Sequence, residues 1–419
     1  MTYDFEYMLH LFACGARGMT PKPPRKAVDF ERLIQLAIEQ SVLPLVGAAL
    51  CHAPDSGFPP EKLQSLVNSA RMIAVSNFMK RRINFKLLKD FEEAGIQAVL
   101  LKGYPLADLY AEPDFRISSD TDIYVDIKDE KRAYQLLREH GCKVNPRSPL
   151  SHHAVCEHPQ IGQIELHAIL YGRIVEDVWF DTMDDRQYIQ EDYEKYESQE
   201  GHCLTLGKTD NLIFLVLHMT KHFIAGGVSL RQMMDIALYL KAYRDQIDLQ
   251  RFFCILDSLK YRDLLKTVLS MQVSYCGFSP DDFIGYTKAD DSAVSALLED
   301  LEAGGWLGMK ETVERSDTWY RYSRSKYLKK KNVFFYWFYM MKRSFIRCVH
   351  ALFPPRAALE ARFPYAKKTM WLIPFAWTQQ LFLRIMQLLH GKFHVEVAAH
   401  AAKAYEKDRF ALLKLMKMI

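Results

Sequence analysis

Apolar residues recur at three- and four-residue spacing from Phe30 to Leu43, at Leu33, Ile34, Leu36, Ala37 and Val42, and predict an amphipathic helix. Pro59-Pro60 breaks the chain, and a longer pattern runs from Glu61 to Glu93. It places Leu63, Leu66, Ile73, Phe78, Ile83, Phe85 and Leu88 on one broad side. Gly95 stands where a left-handed stop would end that helix. Residues 1–95 therefore read as helical.

The period then changes. Gln97 to Leu101 is a short apolar run and reads as a buried strand. Lys102-Gly103 turns it into a helix beginning near Pro105, a residue favoured in a first helical turn. Asp120 to Ile127 alternates polar and apolar and reads as a second strand. Lys128 to His140 is an amphipathic helix closed by Gly141. His152 to Glu157 and Gln160 to Leu170, interrupted by Pro159 and Gly162, read as an antiparallel pair. Residues 96–170 thus form a small α/β unit with a mixed sheet. From Asp210 the pattern is helical again, over 211–225 and 230–243 around Gly226-Gly227, then within 248–275 and 291–303. The expected class is α+β, a small mixed-sheet core embedded in a largely helical protein. Four segments follow: a helical 1–95, an α/β core over 96–204, a helical 205–310, and a basic, aromatic, helical 311–419.

Composition narrows the classes. The chain has 419 residues, 49% of them hydrophobic and 25% charged, which excludes a disordered chain and a disulfide miniprotein. The charge-free stretch Thr369 to Leu383 contains Thr378, Gln379 and Gln380 and falls short of the roughly 20 apolar residues of a spanning helix. Asp4 and Glu6 stand where a signal peptide would carry positive charge. The eight cysteines show no CxxC spacing and read as core hydrophobes of a reducing compartment. These features predict a cytoplasmic protein.

The net charge of +4 is unevenly spread. Thr318 to Lys392 carries 15 Lys/Arg and one acid, Glu360, so the rest of the chain is net negative. Aromatics between Lys329-Lys330-Lys331 and Lys342-Arg343 suit core packing beside a solvated basic flank, peripheral contact with an anionic membrane, or nucleic-acid stacking.

The chemistry concentrates in Val99 to Val125. Residues i and i+2 of a strand share a face, so Asp120 and Asp122 present two carboxylates side by side. Such a pair repels unless a cation sits between them, and Mg²⁺ is the natural hard, oxygen-seeking answer. Glu165 alternates out of phase with Ile164 and Leu166, so a third acid converges if its strand lies beside that of Asp120. A trio of this kind can clamp the attacking and leaving oxygens of an in-line phosphoryl displacement. Lys102 is placed to neutralise triphosphate charge. His167 could orient a ligand or take a proton from an acceptor hydroxyl. His218 and His222, spaced i, i+4, lack the glutamate of a zincin and read as a polar patch with Arg231 and Asp235. Arg116 is a candidate phosphate contact or a partner of Asp114 or Glu112.

At these residues the chain resembles the nucleotidyltransferase superfamily of DNA polymerase beta, and within it the bacterial uncharacterised nucleotidyltransferase family. The resemblance rests on Leu101-Lys102-Gly103, Tyr110, Pro113, Arg116, Asp120-Thr121-Asp122-Ile123, Ile164-Glu165-Leu166-His167 and Leu230-Arg231 with Asp235-Ile236-Ala237. It extends to Leu352-Phe353-Pro354 and Leu372-Ile373-Pro374-Phe375. It implies a nucleotidyltransferase core, an NTP (ATP expected) bound with Mg²⁺, and transfer of a nucleoside monophosphate to an acceptor. The acceptor stays open among a small molecule, a glycan precursor, a protein hydroxyl and RNA. Asp120, Asp122 and Glu165 match the catalytic metal ligands. Gly103 matches the superfamily's glycine turn, with Tyr104 where its serine usually stands and Ser118 or Ser119 as the substitute. Lys102, Gly103, Arg116, Ser118, Ser119, His167 and His222 are the expected nucleotide-binding residues. A fold that holds nucleotide without turnover, or a docking scaffold, is the alternative.

Overall fold

A computed structural model describes residues 1–53, 57–147, 153–170, 188–190, 192–225, 228–303, 365, 370–379 and 411–418. Residues 1–316 with 411–418 form one compact unit and 317–410 another. Most of the basic segment lies outside the described residues. Within the second unit, Ala376 is buried against Tyr365, Ile373 and Trp377. None of the described helices is long and apolar enough to cross a membrane.

The first unit opens with α1 (Tyr3–Arg17), capped by the Thr2 hydroxyl and ended by Gly18 at φ +67°. The single helix expected over 30–43 is two: α2 (Phe30–Glu39) and α3 (Leu43–Cys51). Ser41 adopts a positive φ of 56°, and Pro44 cannot extend a preceding helix, so the chain turns between them. The long helix α4 (Pro60–Glu93) forms as its periodicity predicts. Its apolar stripe is not buried throughout, for Phe78 remains 39% exposed. The helix is long enough to serve two cores. Leu66, Val67 and Ala70 pack near its start, where the glycine at position 47 of α3 admits the Ala70 side chain. Phe85, Leu88 and Phe91 pack under the sheet near its end.

The strands are β1 (Ala98–Leu100), β2 (Asp120–Val125), β3 (Lys143–Asn145), β4 (His153–His158), β5 (Gly162–His167), β6 (Tyr193–Ser198) and β7 (Gly201–Leu206). They form one mixed seven-stranded sheet in the order β3-β4-β5-β2-β1-β7-β6. β1 runs antiparallel to β2 and parallel to β7, and β2 runs parallel to β5. α5 (Tyr104–Ala107) follows β1, and α6 (Glu130–Glu139) follows β2. One sheet face carries Ile123, Val125, Ala154, Cys156, Ile164 and Leu166 onto α4 and α6. Because side chains alternate, the next residues along β2 and β5 face the other way. The β6–β7 hairpin was not legible in the pattern: TyrGluLysTyrGluSer is polar throughout, as suits an edge strand with little to bury.

The later helices are α7 (Lys208–Ala225), α8 (Leu230–Tyr243), α9 (Leu249–Leu259), α10 (Arg262–Tyr275) and α11 (Asp291–Glu302). α8 begins with a capping box between Ser229 and Gln232. Arg17 donates to the Cys276 carbonyl at 2.7 Å and Gln40 to the Leu301 carbonyl at 2.6 Å, tying the first helices to the last. The class is α+β, a mixed sheet set in helices, as the sequence implies.

Candidate active site

The site is a product of strand register. Asp122 on β2 aligns with Glu165 on β5, and Asp120 with Gln163. Aligned residues of neighbouring strands project to the same face, so all three acids share it. Ligand atoms of Asp120, Asp122 and Glu165 lie within 4.8 Å of one another. The triad anticipated from spacing is therefore assembled by the fold. Three converging carboxylate oxygens are a donor set for a hard divalent cation.

Lys102 leaves the end of β1 and reaches into this cluster. Its ammonium lies 2.9 Å from Asp122 Oδ2 and 3.6 Å from Asp120 Oδ2. The two aspartates thus hold a positive charge between them, the balance that their proximity demands. Asp122 is 2% exposed, and burial alone would raise its pKa. Lys102 and the hydrogen bond from His167 Nε2 to Oδ1, at 3.2 Å, outweigh that and hold it well below the usual carboxylate range. Burial likewise opposes the charge on Lys102, but Asp122 and Asp120 raise its pKa on balance. Glu165 behaves oppositely: burial first, then the Asp122 charge, push its pKa up. Burial and a neighbouring like charge both disfavour its ionised form.

Around the triad the other expected residues take distinct places. Ser118 donates to the Asp120 carbonyl at 2.9 Å and Ser119 to its carboxylate at 3.2 Å, so both hydroxyls orient Asp120. Gly103 turns with φ +98° and ψ −116°, a conformation open to glycine alone, and a recess beside it is lined by Asn84, Tyr104, Arg116, Ser118 and Asp120. His167 touches Asp122 and lies 3.7 Å from Glu165 Oε2.

Arg116 borders the recess, but its guanidinium is engaged by neither Asp114 nor Glu112. It donates twice to Asp235 of α8, both bonds at 2.7 Å, with Tyr110 adding a third at 2.8 Å to the same carboxylate. That partner lies 119 residues away, beyond the reach of any local pattern. His222 meets the site indirectly. Its Nε2 lies 3.2 Å from His218 Nε2, which is 3.3 Å from Lys102 Nζ. Burial, then the Lys102 charge, push His222 down to about 3 and His218 well below its ordinary range, so α7 offers Lys102 neutral imidazoles.

Two participants escaped sequence reasoning. His153 read as an ordinary strand residue, yet its Nε2 lies 3.8 Å from Glu165 Oε2. Only the cross-strand register places it there. Arg81 on α4 donates to Asp108 and Glu200 at 2.6 and 2.9 Å, bracing the chain below the Gly103 turn, and no motif marks it.

The mixed sheet thus brings together a carboxylate triad that could hold a metal ion, a lysine and a glycine turn. The model of the family described as Uncharacterised nucleotidyltransferase matches residues 26–276, more than half of the chain. The chain belongs to that family and is a nucleotidyltransferase. No curated protein matches it. Among solved structures, the chain is similar at 12% identity and a TM-score of 0.20 to a tRNA nucleotidyltransferase complexed with a primer tRNA and an incoming ATP analogue. The match covers 79% of this chain and 98% of that one, and its score is too low to carry fold or substrate across.

Proposed function

We propose that the protein moves a nucleoside monophosphate from an NTP, with ATP expected, to an acceptor by in-line attack on the α-phosphorus. Asp120, Asp122 and Glu165 would hold Mg²⁺. The observation that carries this is the triad itself: three acids from two parallel strands with donor atoms within 4.8 Å. When bound, Mg²⁺ would supply charge stabilisation at the reacting phosphate and lower the pKa of an acceptor hydroxyl. The chain's own residues do the rest. Ser119 fixes the carboxylate of Asp120 and Ser118 its backbone carbonyl. His167 fixes the carboxylate of Asp122 through the hydrogen bond from Nε2 to Oδ1. Lys102, freed from the aspartates by an incoming cation, is the charge available to the phosphates. The recess at Gly103 admits backbone approach to a phosphate because no side chain fills it.

Asp122→Asn removes the most buried acid of the triad. It should abolish Mg²⁺-dependent labelling by α-phosphate-tagged ATP, a loss of at least about a thousandfold. Unchanged labelling in the purified variant would end the assignment. The acceptor among small molecules, glycan precursors, proteins and RNA is found by screening for labelled product.

A second reading, nucleotide held without turnover, is favoured by one observation. Tyr104 stands after the glycine, and its hydroxyl accepts from Asn84 of α4, so no hydroxyl at that position is directed to a phosphate. Calorimetric ATP binding with no pyrophosphate release across an acceptor library would select this reading.

A further inference from the structure

We propose that His153, Glu165 and His167 form a second cation site, selective for a nitrogen-seeking divalent metal of the zinc class and sharing Glu165 with the acidic triad. The site follows from register. His153 of β4 lies directly opposite His167 of β5, and Val155 opposite Glu165. Directly opposed residues project to one face, and Glu165 is two residues from His167 on the same strand. The two imidazoles tilt toward each other with centroids 5.2 Å apart. Both present Nε2 to the same carboxylate oxygen: His153 at 3.8 Å and His167 at 3.7 Å from Glu165 Oε2. The three donor atoms lie within 4.8 Å of one another.

The two contacts to Glu165 are near those of a zinc site. Bonds of about 2.0–2.1 Å in tetrahedral geometry put neighbouring donors about 3.3–3.4 Å apart. The two contacts to Glu165 must each shorten by only a few tenths of an ångström, a small rotation of the half-buried His153 ring and the buried His167 ring. Two imidazoles and one carboxylate leave a fourth position open, the pattern of a reactive rather than a purely structural zinc site. The donor chemistry separates the two cations. Mg²⁺ demands oxygen and keeps its waters, whereas imidazole nitrogen selects the later first-row metals.

The carboxylate is arranged to serve both. Gln163 Nε2 donates to Glu165 Oε1 at 2.9 Å, which turns Oε2 toward the histidines. In the metal-free protein His167 Nε2 carries the proton it shares with Asp122 Oδ1. Ligation exchanges that N–H bond for a nitrogen–metal bond, and the ring takes its other neutral tautomer by proton exchange with solvent. The site does not depend on nucleotide transfer, since none of its three donors has to meet a phosphate.

The test is a Co²⁺ titration of the full chain after removal of metal by EDTA, read by visible absorption and by Zn²⁺ competition, with circular dichroism to confirm folding. One equivalent should bind with a ligand-field spectrum of mixed nitrogen and oxygen donors, and Zn²⁺ should displace it. His153→Ala should weaken Co²⁺ binding at least ~10-fold, and His153→Asp should recover part of it. Asp120→Asn should leave the spectrum and affinity intact. Wild-type affinity in His153→Ala would overturn the proposal. So would loss of the Co²⁺ spectrum in Asp120→Asn, because the cation would then sit in the acidic triad. Labelling by tagged ATP with Mg²⁺ alone, measured on the wild type, reports separately on the transferase reading.

Discussion

Two buried cation–carboxylate clusters border one recess, through Arg116 and Asp120, and they are built differently. At Arg116 the guanidinium meets Asp235 through two parallel bonds at 2.7 Å, and Tyr110 supplies the remaining donor. Arg116 and Asp235 pair in a closed, fork-shaped geometry, with Arg231 a further cation close enough to act on the same carboxylate. At Lys102 one ammonium faces Asp120 and Asp122, with Glu165 close behind. There the cation is a flexible point charge, and a carboxylate is left with a raised pKa. The closed cluster joins α8 to the chain after α5 and reads as a strut. The open one reads as a site. Burial alone does not separate them. The pairing geometry does.

The strut should answer to stability and the site to cations. Asp235→Ala strands Arg116, which is buried beside Gly103. It should cost about 3–5 kcal/mol of folding free energy, measured by urea unfolding. Pairing it with Arg116→Met should recover much of that loss, because the guanidinium that Asp235 bonds is removed with it. If the single and double variants unfold alike, the cluster is not the closed pair that its geometry describes.

Lys102→Met tests the open cluster and should have a smaller effect on stability, about 1–3 kcal/mol in EDTA. It leaves Asp122 with His167 alone against two like charges. Millimolar Mg²⁺ should raise the variant's melting temperature by more than it raises that of the wild type, since the cation replaces the missing ammonium. An equal Mg²⁺ shift in both proteins would show that Lys102 and the cation do not compete for one place.

How much of this was readable beforehand depends on distance along the chain. The Asp120 and Asp122 pair sits on one strand, and the alternation of two residues per repeat exposes it directly. Glu165 lies on a strand 40-odd residues later. Its phase against Ile164 and Leu166 told which way it points, though not which strand lies beside it. The parallel pairing of β2 with β5 supplied that. The pairing of Asp235 with Arg116 and the place of His153 were beyond reach for the same reason: each meets its partner only through tertiary or cross-strand register. The hairpin β6–β7 was invisible because an edge strand need not carry an apolar repeat. The break between α2 and α3 was signalled locally by Pro44, but the helical period on both sides concealed it.

The last contrast concerns acid. His153 and His222 are pushed down to about 4 and about 3 by burial, with His167 and Lys102 respectively as the next cause, and burial also lowers His218 well below its ordinary range. A histidine held neutral in the folded chain gains a proton on unfolding once the pH is below about 6.5, the unfolded value. The unfolded state then binds more protons, so stability is complete above about 6.5 and declines as the pH falls toward the folded values. Each such ring contributes about 1 kcal/mol per pH unit across that window. Glu165, whose pKa is raised, works in the opposite sense and loses its stabilising contribution as pH rises. The closed Arg116 cluster adds its own loss only at lower pH, because Asp235 is held below the usual carboxylate range by Arg116 against the cost of burial. Urea midpoints between pH 7 and 4.5 should therefore fall mainly through the site's histidines. His222→Gln should make that limb shallower by about one ring's share, whereas Asp235→Asn should leave its slope unchanged. A slope insensitive to His222→Gln would mean that this imidazole is charged in the folded protein, and that Lys102 is not flanked by neutral rings.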